Sequence, residues 1–147
     1  MLLPLVESVA GHFAAAQLAR VPRVTRLAFG SFDFMSDAGI RGDAEELDAV
    51  RTNLVLVFRH AGIAAPVDGV TLATDDGRQI ERDVARSRRF GMGGKLCIHP
   101  RQVPLVNAGW CRAHRKWTGP IAWSRHWRTG TWAQSRSMAS WSTARSS

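Results

Sequence analysis

The feature that most constrains the fold is an alternation of short apolar segments with amphipathic stretches. It is repeated four times within roughly the first 105 residues. Each apolar segment has the length and the continuous hydrophobicity of a strand that is buried on both faces. Strands that alternate with helices predict a parallel sheet with helical crossovers, so the fold class is α/β. The predicted strands cover residues 2–6, 25–29, 65–71 and 95–98.

Local signals mark the helices between these strands. Ser8 predicts the N-cap of the first helix. Residues 30–33 predict a turn, and Asp43 with Glu46 resembles the capping box of a second helix. A third helix with a thin apolar face follows, and Pro104 suits the first turn of a short last one. Four such β–α units amount to half of an eight-fold α/β barrel, which needs about 250 residues.

The charged residues divide the chain into two parts. All 12 acidic residues lie between Glu7 and Asp83, whereas residues 84–147 contain 12 Lys and Arg and no acid. Residues 110–147, called the tail below, hold all six Trp and seven basic residues without any sustained period. This composition predicts disorder, which we favour over the binding of single-stranded nucleic acid by the interleaved Arg and Trp. We therefore expect one folded domain over 1–109 and a disordered basic tail over 110–147.

Cysteine content and the first residues predict the compartment. Cys97 and Cys111 form no C-x-x-C motif, and no second pair exists for a zinc site or a disulfide framework. Residues 1–6 are apolar, but they lack a basic segment and are interrupted by Glu7, which excludes a signal peptide or a membrane span. We expect a cytoplasmic protein that does not bind membranes.

Two carboxylates occupy equivalent positions in the pattern. Glu7 lies at the C-terminal end of the first predicted strand, and Asp33 lies just past the end of the second. In a parallel α/β array both project from the rim where functional groups collect. Two carboxylates, with substrate and water oxygens completing the shell, suit Mg²⁺. The alternative, that both are helix-cap or loop acids, is left open by the spacing.

Three segments carry a family resemblance. They are Leu-Pro-Leu-Val-Glu-Ser at 3–8, Leu-Ala-Phe-Gly-Ser-Phe-Asp-Phe at 27–34 with Gly39, and Gly-Lys-Leu-Cys-Ile-His-Pro-Arg-Gln at 94–102. In this order they resemble motifs of the citrate lyase β-subunit/malyl-CoA lyase family, within the HpcH/HpaI aldolase/citrate lyase superfamily. The resemblance covers 1–109 and implies a partial TIM barrel, namely β/α units five to eight of eight.

The same resemblance implies an activity and a site. The family uses Mg²⁺ to cleave or form carbon–carbon bonds in 3-hydroxy-acid CoA thioesters. By resemblance, Glu7 and Asp33 are its two metal-binding carboxylates, and Glu7 also binds the acyl-CoA substrate. The resemblance assigns no catalytic residue in this chain. A non-enzymatic remnant or interaction module remains the alternative.

The departures from the family are equally informative. The first four strands and the substrate-binding arginine of the family have no counterpart here. Residues 137–147 can be encoded by DNA that, read two bases later, gives Asp-Gly-Lys-Leu-Val-Asp-Gly-Pro-Val-Val. That peptide resembles the family's C-terminal lid segment, in which a catalytic aspartate precedes a proline. We therefore predict an out-of-frame tail and a truncated chain that is inactive alone. Its unpaired sheet edges predict aggregation or a homo-oligomer.

The glycines before the last strand offer one more candidate site. Residues 91–95 do not form a phosphate loop, because Arg89 and Leu96 occupy positions that would require Gly and Ser or Thr. A tight turn is the favoured interpretation. Lys95 and His99 either approach the CoA or brace the last strand, and we favour the brace.

Overall fold

The computed structural model describes residues 1–114 of the 147-residue chain. Strands and helices alternate along it. The strands are β1 (Leu5–Val6), β2 (Ala28–Phe29), β3 (Val67–Asp68) and β4 (Gly94–Lys95). The helices are α1 (Val9–Leu18), α2 (Ser31–Ala38), α3 (Asp48–Ala61, preceded by a 3₁₀ turn at Glu45–Leu47), α4 (Gly77–Phe90) and α5 (Gln102–His114).

The strands form one parallel sheet in the order β1-β2-β3-β4. Leu5 pairs with Ala28, Ala28 with Val67, and Val67 with Gly94. Residues paired in this way share one face of the sheet, and their chain neighbours lie on the other. The predicted α/β class with a parallel sheet is confirmed.

Two hydrophobic clusters hold the helices in place. The larger one joins Val6 and Phe29 of the sheet to Ala15 of α1, Phe34 of α2 and Leu54 of α3, all of them buried. The smaller one joins α4 and α5, and its buried members are Ile80, Val84 and Val106. Burial of side chains of this size stabilises the fold by about 1.5–3 kcal/mol each.

Side chains cap the N-termini of α1 and α4. The Ser8 hydroxyl accepts a hydrogen bond from Gly11 N at 3.1 Å, as predicted. The Asp76 carboxylate accepts one from Gln79 N at 3.0 Å at the start of α4. Each bond satisfies one of the backbone donors that a helix N-terminus leaves without an intrahelical partner.

Two local predictions are wrong. Asp43 and Glu46 do not cap α3, because its N-cap is Leu47 and the Asp43 carboxylate instead faces Arg51. The predicted turn at 30–33 is the start of α2, which the Gly and Asp in this segment concealed. The buried side chain of Phe34 packs into the larger cluster, and this tertiary contact stabilises a helix that local propensity does not indicate.

Helix α5 spans the position of the predicted domain boundary. Helix α5 continues past Gly109 to His114, so the backbone is helical across the boundary predicted between 109 and 110. The remainder of the predicted tail, residues 115–147, lies outside the described residues. None of the helices within 1–114 is long and apolar enough to cross a membrane.

Candidate active site

The predicted carboxylates lie at the carboxyl edge of neighbouring strands. Val6 pairs with Phe29, and Glu7 follows directly after Val6. Asp33 lies in the first turn of α2, which begins two residues after Phe29. Both side chains are exposed. The structure therefore brings the two segments to one edge of the sheet.

A close backbone approach joins these two segments. Gly30 N donates a hydrogen bond to the Val6 carbonyl oxygen at 2.9 Å. A Cβ atom on residue 30 would lie 2.7 Å from the Cβ of Glu7, which is closer than real Cβ contacts. A residue without a side chain is thus required here, and the backbone that leads into α2 lies directly against Glu7.

The donor set at this edge suits Mg²⁺ and similar cations that prefer oxygen ligands, and it does not suit structural Zn²⁺. In the described part of the chain, neither Glu7 nor Asp33 has a salt-bridge or hydrogen-bond partner. Over the same 114 residues, no group of three or more His, Cys, Asp and Glu side chains is gathered for a metal. Mg²⁺ is commonly held by one or two carboxylates and keeps several waters, whereas structural Zn²⁺ needs four N or S ligands.

A buried ion-pair network lies beside this edge. Arg51 of α3 is 2% exposed, and its Nε donates to Asp68 Oδ1 at 3.0 Å. The same guanidinium contacts the Asp43 carboxylate in the loop before α3, and its Cζ lies 5.5 Å from the centre of the Phe29 ring. Arg51 thereby links three parts of the chain that are distant in sequence.

The electrostatics of this network favour the charged guanidinium. Burial by itself lowers the pKa of Arg51, but the Asp68 and Asp43 carboxylates outweigh that effect and raise it above its ordinary value. Asp68 also accepts a hydrogen bond from Gly69 N at 2.9 Å and contacts the Ser87 hydroxyl of α4. The buried Asp68 carboxylate is therefore contacted by Arg51 of α3, by the Gly69 amide and by Ser87 of α4.

Lys95 acts as a brace between the last two strands. Its Nζ donates to the Gly69 carbonyl oxygen at 2.7 Å, a contact of the kind that the favoured interpretation expects. Burial lowers the pKa of Lys95, and the carboxylates of Asp68 and Asp83 offset this only in part. His99 is used locally, since its Nδ1 accepts from Arg101 N at 3.2 Å.

A pocket of about 250 Å³ opens above this network. Three cationic and three anionic side chains contribute to its lining, so neither sign of charge dominates. The charged lining residues are Asp43, Arg51, Asp68, Asp83, Arg86 and Lys95.

Arg51 and Asp68 were not predicted as part of the site, although the hydrophobic pattern of the sequence contains a signal for each of them. Arg51 lies four residues after Leu47 and three before Leu54, on the apolar stripe of α3. Asp68 interrupts the apolar segment that becomes β3. A cation and an anion at two positions that the pattern assigns to the core indicate a buried pair, because isolated charges are almost never buried.

Comparison with known proteins identifies the family. Residues 1–100 match the family described as HpcH/HpaI aldolase/citrate lyase. The chain belongs to this family. It is 37% identical over 109 residues to a citrate lyase subunit beta-like protein of Deinococcus radiodurans, covering 72% of this chain and 38% of that protein. It is 32% identical over 110 residues to a (3S)-malyl-CoA thioesterase of Cereibacter sphaeroides, covering 73% and 38%.

Solved structures share the fold of this chain. RipC from Yersinia pestis superposes with a TM-score of 0.70 at 27% identity, over 84% of this chain and 54% of that one. The citrate lyase beta subunit of M. tuberculosis, in complex with oxaloacetate and magnesium, superposes with a TM-score of 0.64 at 23% identity, over 72% and 50%. The chain thus spans about two-fifths of the length of these curated relatives and about half of these solved chains.

Proposed function

We propose that this chain carries the magnesium-binding part of a carbon–carbon lyase that acts on 3-hydroxy-acid CoA thioesters of the citryl-CoA or malyl-CoA type. The observation that carries the proposal is the contact between Glu7 and the backbone leading into α2. It brings the segments of two unpartnered carboxylates together at the carboxyl edge of a parallel sheet. The magnesium and oxaloacetate in the M. tuberculosis neighbour support the same assignment.

Glu7, Asp33 and Gly30 have different roles in the proposed site. Glu7 and Asp33 hold the ion, and Glu7 also faces the substrate. Gly30 keeps the two segments in contact because it has no side chain that would push Glu7 away. Mg²⁺, when bound, supplies polarisation of a substrate carbonyl and stabilisation of enolate charge.

We further propose that the four β–α units are units five to eight of a TIM barrel. A closed barrel of this kind has eight strands, and the described sheet has four.

We propose that the chain alone does not turn over substrate, because no residue corresponds to the family's substrate-binding arginine or its lid aspartate. Correct positioning of reactants accounts for about 7–11 kcal/mol of a barrier. The cytoplasmic location stays a prediction.

Metal binding tests the assignment directly. Mn²⁺, which replaces Mg²⁺ at oxygen sites and has an EPR signal, is titrated into the purified 147-residue chain. We expect weak binding that Glu7→Gln and Asp33→Asn each weaken by at least about 10-fold, the lower end of the loss caused by removing even an outer partner of a metal ligand. Glu81→Gln is the matched control, since Glu81 is an exposed acid on α4. Unchanged Mn²⁺ affinity in both site variants would remove the proposal.

Turnover is measured separately by chromatography of the CoA products. With malyl-CoA or citryl-CoA we expect no cleavage by the chain alone. Lyase turnover that disappears in Glu7→Gln would support the metal pair and overturn the proposed inactivity. Hydrolysis of the thioester without cleavage of the carbon–carbon bond would replace the lyase by a thioesterase, the activity named for the Cereibacter relative.

A further inference from the structure

We propose that Ser31 and Gly69 are positioning residues, which fix the start of α2 and through it the carboxylate of Asp33. This inference rests on the proposed function, in which Asp33 binds the metal. It adds two residues that touch neither the ion nor the substrate. It predicts that metal affinity depends on how the first turn of α2 is anchored.

The hydroxyl of Ser31 anchors this turn to α3. Ser31 is the first residue of α2, is 1% exposed, and donates from Oγ to Asp43 Oδ2 at 3.1 Å. Asp43 is itself held by the buried guanidinium of Arg51. Helix α2 has no N-cap side chain, because its N-cap is Gly30. The Ser31 hydroxyl takes over the anchoring that an N-cap side chain provides elsewhere.

The backbone at Gly69, which follows β3, lies directly against Ser31. A Cβ atom on residue 69 would lie 2.7 Å from Ser31 Cβ and would also collide with the Ser31 hydroxyl. Gly69 cannot easily move away, because its N–H is bonded to Asp68 and its carbonyl oxygen to Lys95. Ser31 is thus confined between Asp43 and the end of β3.

The helix geometry separates the anchor from the proposed ligand. Successive residues of an α-helix are about 100° apart around its axis, so Ser31 and Asp33 point about 200° apart. Ser31 is buried while Asp33 is exposed. A displacement of Ser31 therefore moves Asp33 without any change to the groups that would contact the ion.

The binding of Mg²⁺ is sensitive to a small displacement of the Asp33 carboxylate. It requires near-ideal octahedral geometry with oxygen ligands at about 2.0–2.1 Å, so a shift of a few tenths of an ångström in one carboxylate weakens binding. If Ser31 and Gly69 only stabilised the fold, their replacement would lower the free energy of unfolding and leave the metal affinity of the folded protein unchanged. The two roles are separable by experiment.

The test uses Gly69→Ala and Ser31→Ala in the full chain, with Gly94→Ala as the matched control. The first adds a methyl group against Ser31, and the second removes the hydroxyl without adding bulk. In the control, the new Cβ lies 3.7 Å from its nearest neighbour, an ordinary contact. Mn²⁺ affinity and EPR line shape are measured alongside urea unfolding, under conditions where each variant is folded.

We expect Gly69→Ala to weaken Mn²⁺ binding about 10-fold and Ser31→Ala by less, with altered line shapes, while Gly94→Ala binds like the wild type. If Gly69→Ala fails to fold, Ser31→Ala decides alone. Wild-type affinity in both variants, with binding lost in Asp33→Asn, would overturn this inference and leave the proposed function standing. Wild-type affinity in Asp33→Asn would also overturn this inference, and wild-type affinity in both Asp33→Asn and Glu7→Gln would overturn the proposed function with it.

Discussion

Replacement of Arg51 by methionine should strongly destabilise the fold. Arg51→Met keeps most of the side-chain volume but removes the charge that faces the Asp68 carboxylate, and both residues are 2% exposed. Asp68 would keep only the Gly69 amide and the Ser87 hydroxyl as donors. Removal of one partner from a buried ion pair costs about 3–5 kcal/mol, because the remaining charge is left buried and uncompensated. Domains are stable by about 5–15 kcal/mol, so the loss is a large share of the total.

Urea unfolding of the full chain at neutral pH measures this cost. Arg82→Met is the control, because Arg82 is an exposed arginine of α4 and its replacement should change the free energy of unfolding by less than about 0.5 kcal/mol. Addition of Asp68→Asn to Arg51→Met should recover part of the loss, since no uncompensated carboxylate then remains buried. If Arg51→Met costs no more than Arg82→Met, the buried pair does not have the role assigned to it.

Two further results are expected. Burial lowers the pKa of His12 below its ordinary value of 6.5, so the unfolded chain binds a proton that the folded chain resists. The free energy of unfolding should therefore fall as the pH is lowered through about 6.5, and less steeply in His12→Gln than in the control His60→Gln; equal slopes would refute this. Within residues 1–114, β1 and β4 are unpaired edges and Leu3 and Leu5 are about half exposed, so we expect self-association in light scattering. A monodisperse, cooperatively unfolding monomer would contradict it.

The parts of the fold that local signals determine could be predicted from the sequence. Ser8 marks the start of α1 because its hydroxyl satisfies a backbone N–H of the first turn, and it lies where the pattern placed it. Glu7 and Asp33 were placed at one edge because neighbouring parallel strands end together. Their metal-binding role remains a prediction.

The parts that depend on tertiary contacts could not be predicted. Asp43 suited a capping box, yet its carboxylate faces Arg51, a partner eight residues away whose burial only the folded structure defines. The contact of Gly69 with Ser31 joins residues 38 positions apart, and no spacing rule indicates it. Local propensity is a weak prior that such contacts override.

The strand order has a consequence for how the chain folds. Each strand pairs with the strand that follows it in sequence, and the paired residues Leu5, Ala28, Val67 and Gly94 are separated by 23, 39 and 27 positions. Within residues 1–114, each pair of neighbouring strands is joined by one β–α connection, so the entropy lost in closing each loop stays modest. During synthesis, every new β–α unit emerging from the ribosome finds the preceding one already available as a template. Assembly can therefore proceed from the amino terminus onward, one unit at a time.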